Sequence, residues 1–327
     1  MLMINEQSKY LKISVVICCY TLDRLGDVKE AISSVISQTL KPHEVIVAVD
    51  HNRELFHTLK AELPKSAVKL VLSEGTPGLS ETRNTAINVS RGEIIAFLDD
   101  DAVAEVNWLE NLVLAFEDPK VLAVGGEAVP VWRKGKPPFW FPLDFDFVIG
   151  CTNHKRLILQ NGGEIRNVTG SNMAFRREVF ERIGYWEIKL GRCETGGVRF
   201  NPSGGEEAEL CLRIKNNIPD GLILFNPKSI VYHKVSANRA TLKYVFNYSF
   251  REGITRALIK KIVSKHGKQP LAAEGRYLRQ LLLKSIPKRI LRFYKIAPIA
   301  QACVLSIDIF LIGAGYLMGK WQYRKSI

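Results

Sequence analysis

Short apolar runs alternate with stretches of helical periodicity along the first 120 residues. Lys12–Cys18 (KISVVIC) is dense in branched apolar residues and predicts a buried strand. Asp27–Gln38 puts Val28, Ala31, Ile32, Val35 and Ile36 on one side of a helix. Val45–Val49 predicts a second strand ending at Asp50, followed by a short helix near Arg53–Glu62 and a strand over Val68–Leu72. Gly75-Thr76-Pro77-Gly78 reads as a loop, Leu79–Val89 as a helix, Ile94–Leu98 as a strand and Val106–Phe116 as a helix. Strands alternating with helices predict an α/β architecture with a doubly wound, mostly parallel sheet. In such sheets ligands bind beyond the carboxyl ends of the strands. Asp50 and the run Asp99-Asp100-Asp101 both fall at those ends.

The second half is less regular. Trp132–Phe147 is rich in proline and aromatic residues and predicts a long irregular loop, whose rings could stack on a sugar, meet a lipid or cover the sheet. Val168–Phe175 (VTGSNMAF) reads as a strand, and Phe180–Tyr185 leads towards a helix opened by Gly204-Gly205-Glu206-Glu207. Acidic residues favour the positive end of a helix dipole. Three glutamates within four residues (Glu206, Glu207, Glu209) exceed what capping needs.

Three consecutive aspartates at a strand end repel one another unless a cation lies between them. Mg²⁺ characteristically takes one or two carboxylates together with substrate phosphates, so Asp-x-Asp here reads as a clamp for a metal-bound diphosphate. A solvated acidic turn is the plain alternative.

Composition narrows the setting. The length of 327 residues accommodates one large α/β domain with an appendage. Six cysteines without Cys-x-x-Cys spacing point to reduced thiols and a cytosolic catalytic domain. Met1–Tyr10 lacks the apolar core of a secretory signal. The net charge of +13 belongs to the tail: from Lys243 onward 17 Lys/Arg face three acidic residues, and the preceding chain is close to neutral. A neutral body with a basic, apolar tail suggests an anionic membrane surface rather than nucleic acid. Thr241–Val263 sets Leu242, Val245, Phe246, Phe250 and Ile254 against Lys243, Arg251 and Lys261, and Tyr277–Ile296 repeats that pattern. Basic amphipathic helices of this kind lie in the membrane interface. Ile299–Met318 is apolar over about the twenty residues that span a bilayer. Its one charge, Asp308, would cost about 2.5–3.5 kcal/mol at mid-membrane. A span, a re-entrant or interfacial helix and a helix packed on the catalytic domain all remain open.

Six segments, in order, resemble family 2 glycosyltransferases with the GT-A nucleotide-diphospho-sugar transferase fold: VVICCYTLDR, VIVAVD, GTPGLSETRNTAI, IIAFLDDDAV, VTGSNMAFRREVFERIGYW and GGEEAELCLRI. They cover roughly residues 12 to 235. Within that family the chain resembles archaeal enzymes that extend dolichyl-phosphate-linked glycans, glucuronosyltransferases among them. The resemblance implies a catalytic domain over 1–238, with a nucleotide-sugar half (12–125) and an acceptor half (126–238), and a membrane-associating helical tail over 239–327. It implies inverting transfer from a UDP-sugar with a divalent metal, Mn²⁺ or Mg²⁺. Asp101 would hold the metal, with Asp99 supporting it and contacting the ribose, and Asp100 beside them in the nucleotide-sugar site. Asp50 would pair with the uracil or ribose, Thr21 and Arg24 would flank the base, and Arg83 and Asn84, just beyond Gly78, would meet the uracil or phosphates. Glu207 would be the catalytic base. Glutamate stands there where the family usually has aspartate, so Glu206 is the alternative. His233 resembles a third metal ligand found in some members, a structural histidine being the other reading. Arg192 and Arg199 could neutralise a uronate, contact phosphate or stand at the surface.

The implied acceptor is a polyprenyl- or dolichyl-phosphate-linked glycan at the cell membrane, with the active site facing the cytosol. A soluble or cell-surface polysaccharide acceptor and a non-catalytic membrane adaptor are the alternatives. Nucleotidyltransferases of this fold need a glycine-rich loop directly after the first strand, and Cys18–Arg24 contains no glycine.

Overall fold

The computed structural model describes residues 11–64, 66–152, 162–191, 202–264 and 272–324. Its elements in chain order are β1 (Ile13–Cys19), α1 (Leu25–Ile36), β2 (Glu44–Asp50), α2 (Arg53–Glu62), β3 (Lys69–Ser73), α3 (Leu79–Val89), β4 (Ile94–Asp99), β5 (Ala102–Ala104), α4 (Trp108–Leu114), β6 (Val121–Trp132), β7 (Gly163–Glu164), β8 (Asn172–Arg176), α5 (Arg177–Ile183), α6 (Glu206–Asn217), β9 (Leu222–Val235), α7 (Leu242–Ser264), α8 (Ala272–Gln280), α9 (Ile286–Ile290) and α10 (Ile296–Gln322). Two compact units divide the chain. The first comprises the chain through Pro130, Gly150–Gly196 and Glu206–Lys234. The second comprises Val131–Ile149, the stretch ending at Gly205 and Val235–Ile327.

The first unit is built on a sheet with strand order β3-β2-β1-β4-β8-β6-β9-β5, β7 pairing with β9. β3, β2, β1 and β4 are parallel. α1, α2 and α3 link these strands in turn and carry the chain back to the starting end of the sheet, the crossover that parallel pairing requires. From β8 onward the described pairings are antiparallel. Alternate residues serve the two faces. Val15, Ile17, Val47 and Leu98 pack with α1, α2 and α4 on one side. Val16, Ile46, Ile95 and Phe97 pack with α3, α5 and α6 on the other. Burial on both faces explains why these strands read as continuous apolar runs.

Two elements depart from expectation. β6 runs twelve residues although Gly125, Gly126 and Pro130 dilute its apolar pattern. Gly126 is required there, because a Cβ would collide with the Ser229 carbonyl and the Asn172 amide. The strand expected over Val168–Phe175 begins only at Asn172, because Thr169–Asn172 closes a turn in which the Asn172 N–H donates to the Thr169 carbonyl at 3.0 Å. Asn172 is fully buried and ties four elements together. Its carbonyl oxygen accepts from Trp108 Nε1 at 2.8 Å, and its amide donates to the Glu127 and Ser229 carbonyls at 2.9 and 2.8 Å.

In the second unit α7 and α10 run side by side. Gly253 and Gly315 let the backbones touch: a Cβ on either would collide with a carbonyl of the other helix, that of Ile312 or Phe250. Asp308 is fully buried and accepts from Ser249 Oγ at 2.8 Å. α7 is therefore not the surface amphipathic helix its spacing predicts. Ser249, Glu252 and Thr255 are buried along with its apolar residues, because the chain supplies them with partners. The expected loop after Trp132 contains a short 3-10 turn, Leu143–Ile149, with Phe141 and Phe145 buried. Asp144 latches it to the helices by pairing with Arg289 and accepting from Ser285 Oγ at 3.0 Å. Among the described residues, α10 is long and apolar enough to cross a membrane by length and composition.

Candidate active site

The carboxyl ends of β1, β2 and β4 bring the acidic residues to one edge. Asp50 ends β2, where its carboxylate accepts from the Gly78 N–H at 3.0 Å and meets His51 Nδ1 at 2.7 Å. The other ring nitrogen of His51 lies 2.9 Å from the Gly75 carbonyl. A doubly protonated imidazole satisfies both acceptors, and the bond to Asp50 raises the His51 pKa above its ordinary value. His51 holds a left-handed backbone, φ 51°, uncommon outside glycine. Gly78, φ 135°, directly precedes α3.

Thr21 caps the turn Leu22–Arg24 by accepting from the Asp23 N–H at 3.2 Å. That turn carries Arg24 to the aspartate cluster. Its Nη1 donates to Asp100 at 2.9 Å and lies 3.1 Å from Asp101. Burial and the adjacent Asp101 push the Asp100 carboxyl up to about 7. Antiparallel pairing of β5 with β9 sets His233 opposite Ala102, one residue beyond Asp101. His233 Nε2 lies 3.1 Å from Asp101 and 3.8 Å from Asp99, while its Nδ1 is 3.7 Å from the Cys151 thiol.

On the other side of Asp99 stands Arg83, buried among Phe97 and Trp186 with its guanidinium 5.8 and 5.2 Å from their ring centres. It donates to Glu206 at 2.9 Å and Glu207 at 3.3 Å, and lies 3.9 Å from Asp99. Glu206 is fully enclosed, with side-chain exposure of 2%, whereas Glu207 retains 16%. Burial first, then the charge of Glu206, pushes the Glu207 carboxyl up to about 7 against the opposing pull of Arg83. Asn84 does not join this group: its amide donates to the Trp186 carbonyl and accepts from the Trp186 N–H, each at 3.0 Å. Arg192 and Arg199 lie outside the described residues.

The family model for glycosyl transferase family 2 matches residues 14–184, just over half of the chain. The chain belongs to this family. It is 30% identical over 316 residues to the glucosyl-dolichyl phosphate glucuronosyltransferase of Haloferax volcanii, covering 94% of this chain and 96% of that one. Among solved structures, the fold is similar to that of the mannosyltransferase PcManGT from Pyrobaculum calidifontis in complex with GDP-Man and Mn²⁺. The TM-score is 0.57 at 17% identity, covering 97% of this chain and 82% of the other. It is also similar to GalNAc-T7 with UDP, GalNAc and Mn²⁺, at a TM-score of 0.51 and 19% identity over 90% and 61% of the two chains. The protein is a glycosyltransferase of the GT-A fold.

Within this glycosyltransferase Asp99, Asp101 and His233 offer ligand atoms that all lie within 4.8 Å of one another. Two carboxylate oxygens and one imidazole nitrogen, with the ring's far nitrogen held at Cys151, suit a divalent ion and leave coordination positions for a phosphate. Arg83 is the part that motif reading underrates. It is one cation shared by Asp99 and both glutamates. Motif spacing points to neither His51 nor Cys151, and to Gly170 only weakly. At Gly170 a Cβ would collide with Glu207 Oε1 and meet Arg83 Nη2 at 2.9 Å, so any larger residue there would displace these side-chain ends. The small residues of VTGSN were its only local signal.

Proposed function

We propose that the protein is a metal-dependent, inverting glycosyltransferase that moves a sugar from a UDP-sugar to a polyprenyl- or dolichyl-phosphate-linked glycan. The observation that carries this reading is Arg83, which joins the carboxylate at the end of β4 to the carboxylate that opens α6. Donor-side and acceptor-side groups thereby share one guanidinium. A divalent ion on Asp99, Asp101 and His233 would supply positive charge against the departing diphosphate.

Glu207 is the base. It has solvent access that Glu206 lacks, and a carboxyl raised to about 7 accepts a proton from the acceptor hydroxyl more readily than an ordinary glutamate. Glu206 and Arg83 orient it. Asp50, fixed by Gly78 and His51, faces the nucleoside, and Thr21 and Arg24 shape the entrance beside it. The relative from Haloferax volcanii supports a glucuronosyl donor and a dolichyl-phosphate-linked acceptor, and the basic tail supports an acceptor held at an anionic membrane with the catalytic unit cytoplasmic. Nucleic acid is not a partner in this reading.

Calorimetry with UDP on detergent-purified protein tests the donor class, with and without Mn²⁺, beside Asp101→Asn and with GDP and CDP as controls. Metal-dependent binding selective for UDP and lost in Asp101→Asn is the expected result; absence of nucleotide binding under any metal condition refutes the reading. A donor screen on glucosyl-dolichyl phosphate then decides the sugar, and UDP-glucose outperforming UDP-glucuronate would sink the uronate assignment.

A further inference from the structure

Helix α10 is long enough to cross a bilayer, but its neighbour is not suited to go with it. α7 and α10 run parallel over most of their length: Ser249 meets Asp308, Gly253 meets Ile312 and Gly315, Ala257 meets Gly319, and Lys261 reaches the Tyr323 carbonyl. Level with the middle of that contact, α7 carries Arg251, Glu252 and Arg256. Arg251 donates to the Pro202 carbonyl at 2.8 Å, Glu252 accepts from Ser203 Oγ at 2.7 Å, and Glu252 pairs with Arg256. A bilayer crossed by α10 would therefore have to take these charges and the irregular backbone at Pro202–Ser203 to its centre. Ionisable side chains are costly in hydrocarbon, and Arg256 keeps about a quarter of its side chain exposed beside this contact.

What α10 leaves uncovered is a single stripe. Ile307, Phe310, Leu317 and Trp321 are exposed at helical spacing, Phe310 by 73% and Trp321 by 74%, while Leu305, Asp308, Gly315 and Gly319 on the opposite side are buried. The segment leading into α10 continues the pattern: Leu291, Phe293 and Ile296 are each more than three-quarters exposed. Lys284, Lys288, Arg292 and Lys295 are exposed among them. An apolar strip flanked by lysine and arginine matches one leaflet of an anionic bilayer, acyl chains meeting the rings and headgroups the cations.

We propose that the protein is monotopic: α10 and the segment from Leu282 to Ile296 enter one leaflet of an anionic membrane side-on, and α10 does not cross it. This rests on the membrane-bound reading above and specifies its topology. Both ends of α10 then lie on the side of the membrane that carries the catalytic unit.

Sealed, inverted vesicles from cells expressing the full chain test this with a membrane-impermeant maleimide. In a background carrying Cys303→Ser and Cys193→Ser, single reporters are placed at Lys60→Cys in the catalytic unit and at Lys295→Cys and Arg324→Cys at the two ends of α10. The expected result is that all three label without detergent, against a control lacking a reporter. Labelling of Lys60→Cys and Lys295→Cys, with Arg324→Cys reacting only after detergent, overturns the monotopic assignment while membrane association stands. Trypsin added to the same vesicles with the unsubstituted chain gives a second readout: trimming at Lys320 and Arg324 supports the proposal, and protection of that end overturns it. Purified full chain is finally mixed with phosphatidylcholine vesicles with and without phosphatidylglycerol. Co-sedimentation is expected with the anionic vesicles and should fall about tenfold for Phe310→Glu. A chain that sediments with neither and is recovered soluble from cells refutes this inference and the membrane-bound reading together.

Discussion

Arg83 shows how one buried cation organises several carboxylates. Removing a buried charge from its partners costs more than the pair contributes, because the remaining charges stay desolvated. Arg83→Gln leaves Glu206 and Glu207 facing each other, so unfolding should be easier by about 3–5 kcal/mol, measured by denaturant titration. The same change removes the largest influence that holds the Glu207 pKa down. A base must be unprotonated to accept a proton, and Glu207 titrates near 7. Turnover should therefore rise with pH through about 7 and level off above it, and the rise should move to higher pH in Arg83→Gln. A pH profile of kcat on both proteins checks the sign. Glu207→Gln should lower kcat by about 10²–10⁴-fold while leaving UDP affinity unchanged, because the group acts on the acceptor's proton rather than on the nucleotide. Loss of UDP binding in that variant would mean that Glu207 is a donor ligand.

The turn before β8 places backbone where a side chain would displace the base. Gly170→Ala should reduce kcat through collision with Glu207 and leave UDP binding intact, with Gly170→Ser more severe. Ligand calorimetry beside turnover assays separates the two effects. Two residues further on, at the start of β8, Asn172 satisfies one indole N–H and two carbonyls at once. Asn172→Ala strands buried polar groups worth about 1–3 kcal/mol each, and a fall in the thermal midpoint well beyond that of an average surface substitution is expected. Strand and helix types in the first unit were readable from periodicity, and the ranges of α2 and α3 match their apolar spacing. β6 was not readable, because glycine and proline interrupt its pattern while pairing within the sheet holds it extended. The amphipathic reading of α7 also misled. Local spacing separates apolar from charged positions but does not reveal that Ser203 and Pro202 wait to receive the charges.

At the scale of the whole molecule, the prediction concerns the metal. An ion that binds only the folded chain raises its stability by mass action. Mn²⁺ should raise the thermal midpoint of the full chain, and Asp101→Asn and His233→Ala should each abolish most of that rise, read by thermal shift without any turnover. An equal rise in all three proteins would remove the Asp99–Asp101–His233 site from consideration. The alternation of apolar runs and helical stretches determined the parallel half of the sheet, since burial of a strand on both faces demands a continuous apolar run. Sequence alone likewise put carboxylates at the strand ends and concentrated the basic charge in an apolar tail. Only the tertiary structure decided which charges meet: Arg83 and Glu207, 124 residues apart, or His233 against Asp101. It alone committed Asn84 to Trp186 and turned one stripe of α10 outward. Periodicity is a local property set by the geometry of the backbone. Partner choice follows from long-range register and close packing, which no single segment encodes.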